Sequence, residues 1–450
     1  MKHEELNEKI GKLEEAIYKN HFSDTRLFTE LTEIQSDLGL LYDNRPTCPF
    51  LRPHFLSRSQ YDEIANAAEI IAEAFRSLAF AALDNKEILT KLDLTEKEER
   101  MARINPGYDK LCVTSRLDTF VAGSDFKFLE YNAETPAGVG DQMQLEIVLS
   151  HIPEIKDFLA ENKHWRPKPH QLLLQSLFKT YREFGGRKGK PNIAIVDWDG
   201  VSTESEFYIL KDYFESMGFK TLVADPHELE YDGGKLYAGD FEIDIFYKRI
   251  LIHEFLEEFD ETHPFIRAYA DGNIFMVNSF RVKLAHKKAS FAILTDEKYE
   301  YLFTPNQLEI IKKHIPWTRK VKNCKTKLDN KEIDLLEFLR ANRETFLLKP
   351  NDDYGGKGIV LGWETSQSDW ETALSEALQD SFIVQERAEI EKIVFPLFAE
   401  EVTMEELLVD FDPFLFLNKV EGGLVRLSSS SLVNITQGGG QTALIVLEDF

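Results

Sequence analysis

The sequence predicts a chain of α+β / α/β class, in which a helical N-terminal layer precedes sheet-bearing domains. Three observations carry this. Apolar residues recur at helical spacing through the alanine-rich stretch 64–83. From Leu111 the period falls to two, with Leu111, Val113, Ser115 and Leu117 alternating with Cys112, Thr114, Arg116 and Asp118. From Asn192 onward strand-like runs alternate with helical ones, the rhythm of a small parallel βαβ sheet.

Taken in order, residues 1–104 read as helical, with a break across 46–53, and as a packed layer without chemistry. A turn at Gly123, Ser124 and Asp125 leads into 126–132 (FKFLEYN). Helices are expected at 142–149 and 171–184, the second ended by Gly185 and Gly186. Strands at 193–196, 221–224, 243–247 and 275–277 alternate with helices at 203–217 and 254–259. No G-x-G-x-x-G is present, so a dinucleotide fingerprint is not supported. A helix at 283–294 and a lysine-rich polar linker near 320–331 precede a strand–loop–strand at 346–362. A helix (370–378), a strand (382–385) and a β-rich end follow, with glycine turns at Gly422-Gly423 and 438–440.

The chain has 450 residues, enough for about two to four domains. Hydrophobic residues make up 43% and charged ones 29%, as in an ordinary globular protein. A net charge of −25 argues against a nucleic-acid partner, which needs a basic face. Cys48, Cys112 and Cys324 are few, odd in number and far apart, so neither a disulfide framework nor a zinc site is expected. The first ten residues are too charged for a signal peptide and no apolar run reaches membrane-spanning length. A cytoplasmic location without membrane contact is expected.

The stretch 346–362, FLLKPNDDYGGKGIVLG, places Lys349 at a strand end and Gly355, Gly356, Lys357 and Gly358 in the loop beyond. Glycines let backbone N–H groups approach an anion and lysines neutralise phosphate, so a flap over a nucleotide triphosphate is one reading. An ordinary glycine hairpin is the other. It is not a Walker loop, since no Ser or Thr follows Lys357.

The period-two segment carries the stronger chemistry. A three-residue loop (Gly123, Ser124, Asp125) would pair Ala122 with Phe126. Counting back, Asp118 then faces Glu130, and Arg116 faces Asn132. Two carboxylates and an amide oxygen on one sheet face make a hard-oxygen site of the kind Mg²⁺ uses. Arg116 beside them could hold a transferring phosphoryl group. For an isolated hairpin, an arginine neutralising two surface acids is the plainer account.

Arg116, Asp118, Glu130 and Asn132, with Glu134-Thr135-Pro136, resemble the motif of the synthetase domain of glutathionylspermidine synthetase and its stand-alone relatives, the circularly permuted ATP-grasp proteins. Further parts recur in order: Lys288 on a helix, Lys349-Pro350 with its glycine loop, Gln385-Glu386, Arg426, and VNITQGGG near the end. The resemblance runs over roughly residues 105–440. It implies a permuted ATP-grasp fold. The metal-bearing half would span 105–190, a βαβ domain 191–280, the nucleotide lid half 281–390 and a closing β segment 391–450. It implies ATP and Mg²⁺ as cofactors, with metal on Asp118, Glu130 and Asn132. Arg116 and Arg426 would act on the phosphoryl group. Lys288, Lys349, Gly355, Gly356, Lys357, Gly358, Gln385 and Glu386 would hold the nucleotide. The implied activity is ligation of a small-molecule or peptide carboxylate to an amine; an ATP-grasp kinase and a nucleotide-binding module remain alternatives. No Cys-His amidase arrangement is present in the first hundred residues, and nothing specifies glutathione or spermidine. Tyr247-Lys248-Arg249 reads equally as a carboxylate site or a salt-bridged strand end, and Asp410 and Asp412 before Pro413 read as capping residues of a loop rather than as a second metal pair.

Overall fold

The computed structural model describes residues 3–398, 400–431, 433, 435 and 438–448. A six-stranded antiparallel sheet forms its centre, in the order Gly440–Thr442, Lys419–Ser428, Val402–Phe416, Thr114–Ala122, Asp125–Asn132, with Lys392–Phe398 also paired to Val402–Phe416. Period-two segments nearly three hundred residues apart in sequence therefore share one face. The buried side chains Phe411, Leu415, Val425 and Leu427 pack this sheet into the main core.

The Arg58–Asp84 helix crosses behind the hairpin. Ser57 caps it by accepting from the Gln60 N–H, and its buried stripe includes Ile64, Ala68, Ile71, Phe75 and Leu78. Phe75 stacks on Tyr131 with ring centroids 4.5 Å apart, which fixes the back of the strand that bears Glu130 and Asn132. The N-terminal part is not wholly helical: His54–Ser57 pairs in parallel with Leu444–Leu447.

The parallel sheet is present in the order Phe275–Val277, Ile245–Lys248, Ile193–Val196, Thr221–Ala224. Its second strand begins two residues later than the 243–247 expectation, because Phe241–Ile243 belongs to a separate small antiparallel sheet. A third sheet holds Thr318–Lys320, Phe382–Glu386, Phe346–Pro350 and Val360–Leu361, and Trp370, Leu339 and Val384 fill its core.

Three sequence expectations are corrected. The 320–331 stretch is no linker: Lys325–Leu328 and Lys331–Asp334 form a hairpin turning at Asp329 and Asn330, both at positive φ. Gly422 and Gly423 are not a turn. They lie inside Lys419–Ser428, and the chain reverses at Leu417 and Asn418. The 283–294 helix is two helices, Lys283–His286 and Ala289–Leu294. The break exists because Asn351 intervenes, its carbonyl accepting from Lys288 N–H and its side chain from Ala289 N–H. Of the VNITQGGG motif, Asn434, Thr436 and Gln437 lie outside the described residues. Cys48, Cys112 and Cys324 are unpaired, and among the described residues no helix is long and apolar enough to cross a membrane.

Gly423 shows how tightly the central sheet is registered. A Cβ there would meet the Phe411 ring at 2.4 Å and the Asp412 carbonyl at 2.6 Å. Gly423→Ala is expected to lower stability by about 1–3 kcal/mol in urea unfolding. Gly189→Ala, with nothing within 4 Å of the added carbon, should stay within about 0.5 kcal/mol of the parent. Equal midpoints for the two would contradict this packing.

Candidate active site

Asp118 does face Glu130, and Arg116 does face Asn132. The route to that register differs from the sequence count. The turn has two residues, Gly123 (φ 62) and Ser124, and pairs Ala122 with Asp125. A bulge then restores the frame: Thr119 pairs with Phe128 while Asp118 pairs with Glu130, leaving Leu129 extra. On the opposite edge of the same strand the Thr119 N–H donates to Asp412 Oδ1 at 2.9 Å, and at the bulge the Leu129 carbonyl accepts from Lys349 Nζ at 3.2 Å.

Asp118 is the meeting point. It accepts from Arg116 Nε at 2.9 Å, Arg426 Nη2 at 2.9 Å and Asn132 Nδ2 at 2.7 Å. Burial alone would raise its pKa, but the two guanidinium charges outweigh burial and hold it well below the usual carboxylate range. Glu130 is held low in the same way, burial being outweighed chiefly by Lys288, whose Nζ lies 3.0 Å away. Both carboxylates are thus kept charged.

Asp410 and Asp412, both paired with Arg426, are the residues of this site that the sequence places wrongly. They belong to no loop; both are fully buried inside the Val402–Phe416 strand. Arg426 donates to Asp410 at 2.7 Å and lies 2.8 Å from Asp412 Oδ2. Three carboxylates thus surround two guanidinium groups. Burial pushes Asp410 up to about 6 and Asp412 well above the usual range, against the pull of Arg426. The signal was available: an Asp at every second position of an apolar run puts both on one sheet face.

Lys349 is buried, bonded to Gln385 Oε1 at 2.9 Å, and burial lowers it to about 8. Gln385 and Glu386 end the strand beside it. Lys288, at the break between its two short helices, faces Glu130. Lys287 turns instead to Asp352 and Glu98, away from Glu130. A second buried cluster forms there, with Lys283 Nζ 2.6 Å from Glu134 and 2.7 Å from Asp352. Asp352 and Asn351 pin the base of the flap. Gly355, Gly356 and Gly358 beyond it all have positive φ. Lys357 is 82% exposed and does not reach the cleft. Lys248 lies in the buried cluster 3.9 Å from Glu134, and Arg249 is ion-paired to Glu206 at 3.0 Å, so that segment is salt-bridged.

One cleft of about 1500 Å³ joins these parts. Arg116, Asp118, Glu130, Asn132, Lys349, Gly355, Gly356, Gln385, Glu386 and Arg426 line it, and Lys288 backs it through Glu130. Ionised hard-oxygen donors paired directly with buried cations, Arg116 and Arg426 on Asp118 and Lys288 on Glu130, fit a divalent cation with phosphate oxygens.

The fold has a solved counterpart. A glutathione synthetase-like effector from Globodera pallida in its apo form superimposes with TM-score 0.59 at 12% identity, over 93% of this chain and 96% of that one. At that identity the likeness is one of fold. No protein-family model matches the chain. Uncharacterized proteins of Mycobacterium bovis and Mycobacterium tuberculosis are each 29% identical over 347 residues, covering 72% of this chain. The chain spans 58% of the length of those relatives.

The ion-pair network around Asp118 predicts an asymmetry. Asp118→Ala leaves Arg116 and Arg426 buried without their shared carboxylate and should cost about 3–5 kcal/mol. Asp412→Asn keeps the acceptor for Thr119 N–H in a neutral isostere and should cost under about 1 kcal/mol. Asp410 holds its proton to about pH 6 folded, against 3.8 for an unfolded chain. Its contribution is full below the lower value and is lost as pH rises to the higher one. Asp410→Asn should therefore flatten the fall in urea stability between those values.

Proposed function

We propose that the chain is an ATP- and Mg²⁺-dependent carboxylate–amine ligase that works through an acyl phosphate, built in the circularly permuted ATP-grasp order. One observation carries the reading. Two guanidinium forks and two buried ammonium groups, from four separate segments, converge on the sheet face that presents Asp118, Glu130 and Asn132. A site that only bound a nucleotide would have little need for ionised carboxylates so placed.

In this reading Asp118, Glu130 and Asn132 hold Mg²⁺. Lys349 and Lys288 hold the nucleotide phosphates, with Gln385 and Glu386 at the base end. Bound Mg·ATP supplies the phosphoryl group that activates a substrate carboxylate for attack by an amine. Arg116, fixed by Asp118 and by the Ala137 carbonyl at 3.0 Å, meets charge developing on that group, and Arg426 meets it from the neighbouring strand. The flap from Gly355 to Gly358 closes over the site and excludes water, which would otherwise hydrolyse the activated acid. Lys357 would arrive only on closure.

Hydroxylamine intercepts an acyl phosphate as a hydroxamate and leaves a phosphoester untouched. Screened against amino acids and short peptides, the parent should release ADP only with Mg²⁺ and should yield hydroxamate. Arg116→Ala should bind ATP yet lose about 3–4 kcal/mol of transition-state stabilisation. A stable phosphorylated product without hydroxamate would make the protein a kinase; undiminished turnover by Arg116→Ala would remove the assigned role.

A further inference from the structure

Past Arg426 the cleft continues along the Gly440–Thr442 strand, the first residue of the Asp141–Leu149 helix and the 200–203 loop. Arg426 and Gln441 are direct cross-strand partners. Their side chains leave the same sheet face with Cβ atoms about 4.5–5.5 Å apart. Gln441 is 1% exposed and held on both sides. Its Nε2 donates to Thr47 Oγ1 at 3.0 Å and its backbone N–H to the Thr47 carbonyl at 2.8 Å. The same Nε2 donates to Asp141 Oδ2 at 2.7 Å. Asp141 is therefore fixed one side chain from the arginine assigned to the phosphoryl group, with its half-buried carboxylate lining the cleft.

We propose that Asp141 is the catalytic base of the amide-forming step, oriented by Gln441 and placed on the amine side of the cleft. The inference rests on the ligase reading and deepens it. A primary amine arrives as an ammonium ion, with a pKa of about 10 for a lysine-like group, and has no lone pair to attack with. Asp141 takes one proton from it. The neutral nitrogen then attacks the acyl carbon, forming the C–N bond, and the C–O bond to phosphate breaks with its electron pair leaving on the phosphate oxygen. The second nitrogen proton goes to that phosphate, and the proton on Asp141 returns to water. Atoms and charge balance without another reactant.

The surroundings suit the task. Burial pushes Asp141 up to about 7, and the charge of Glu206 adds to this, while the Gln441 hydrogen bond and Arg249 pull the other way. A carboxylate with a pKa near the working pH is both available and basic enough to accept a proton. Glu206 is itself fixed, accepting from the Gly138 N–H at 2.9 Å and from Arg249 at 3.0 Å.

The test compares nucleophiles. Hydroxylamine is largely uncharged at neutral pH and needs no base before it attacks. Ammonia, methylamine and glycinamide are the basic probes, each offered with a mixture of the common amino acids and their dipeptides as acids. Asp141→Asn should retain hydroxamate formation, which also proves that it folds and activates the acid. Its amide formation with basic amines should fall by about 10²–10⁴-fold. In the parent, amide formation should rise with pH and level off above about 7, whereas in Asp141→Asn it should go on rising toward the pKa of the free amine. Equal losses with both kinds of nucleophile, or no loss with either, would overturn the assignment. A parent that consumes hydroxylamine and none of the basic amines has no use for a base and would overturn it too. A parent that makes no hydroxamate at all fails at the earlier step and takes the ligase reading down with it.

Discussion

The bulge at Leu129 is the constraint from which the site is built. One extra residue in the Asp125–Asn132 strand does two things at once. It brings Asp118 opposite Glu130 and frees the Leu129 carbonyl for Lys349, while on the other edge of the Thr114–Ala122 strand the Thr119 N–H is held by Asp412. Without it, the two-residue turn would place Glu130 on the face away from Asp118, since a one-residue slip exchanges the faces of a strand. Asp412, Lys349 and the Phe75–Tyr131 stack hold the irregularity in place from three directions.

Charge is arranged against the trend of the whole molecule. The chain carries −25 overall, yet its cleft gathers Arg116, Arg426, Lys288 and Lys349. Their mutual repulsion is relieved by Asp118, Glu130 and the buried Asp410. Burial raises Asp412 against the pull of Arg426, which weakens its hold on a negative charge beside these cations. An anionic ligand therefore meets a locally favourable field. The second cluster, around Lys283, ties the Glu134 end of the hairpin strand to Asp352 at the flap base. It anchors the root of the glycine loop to the hairpin.

Much of this was legible in the sequence, though not always for the right reason. The Asp118–Glu130 register followed from counting a three-residue turn; the protein reaches it with a two-residue turn and a bulge, two departures that cancel. Lys349 and its glycine loop were readable because Pro and Gly punctuate a strand end unmistakably. Asp410 and Asp412 were hidden by the proline after them, which suggests a loop until Val402–Phe416 is seen to bend at a register shift beside Pro413. Lys287 and Lys288 could not be separated by helical periodicity, because the helix breaks between them on an asparagine more than sixty positions away. Gln441 and Asp141 are brought together by pairing across three hundred residues, which no local pattern encodes.

The central claim is that the bulged hairpin makes a divalent-cation site facing the phosphate-binding cations. Mn²⁺ with a non-hydrolysable ATP analogue, located by anomalous scattering in crystals, tests it most directly. The account predicts manganese bound between Asp118, Glu130 and Asn132, with the analogue's phosphates beside Lys349 and Arg116. Manganese bound instead between Glu134, His286 and Asp352, whose ligand atoms lie within 4.8 Å of one another, or phosphates bound without metal at the hairpin, would contradict it.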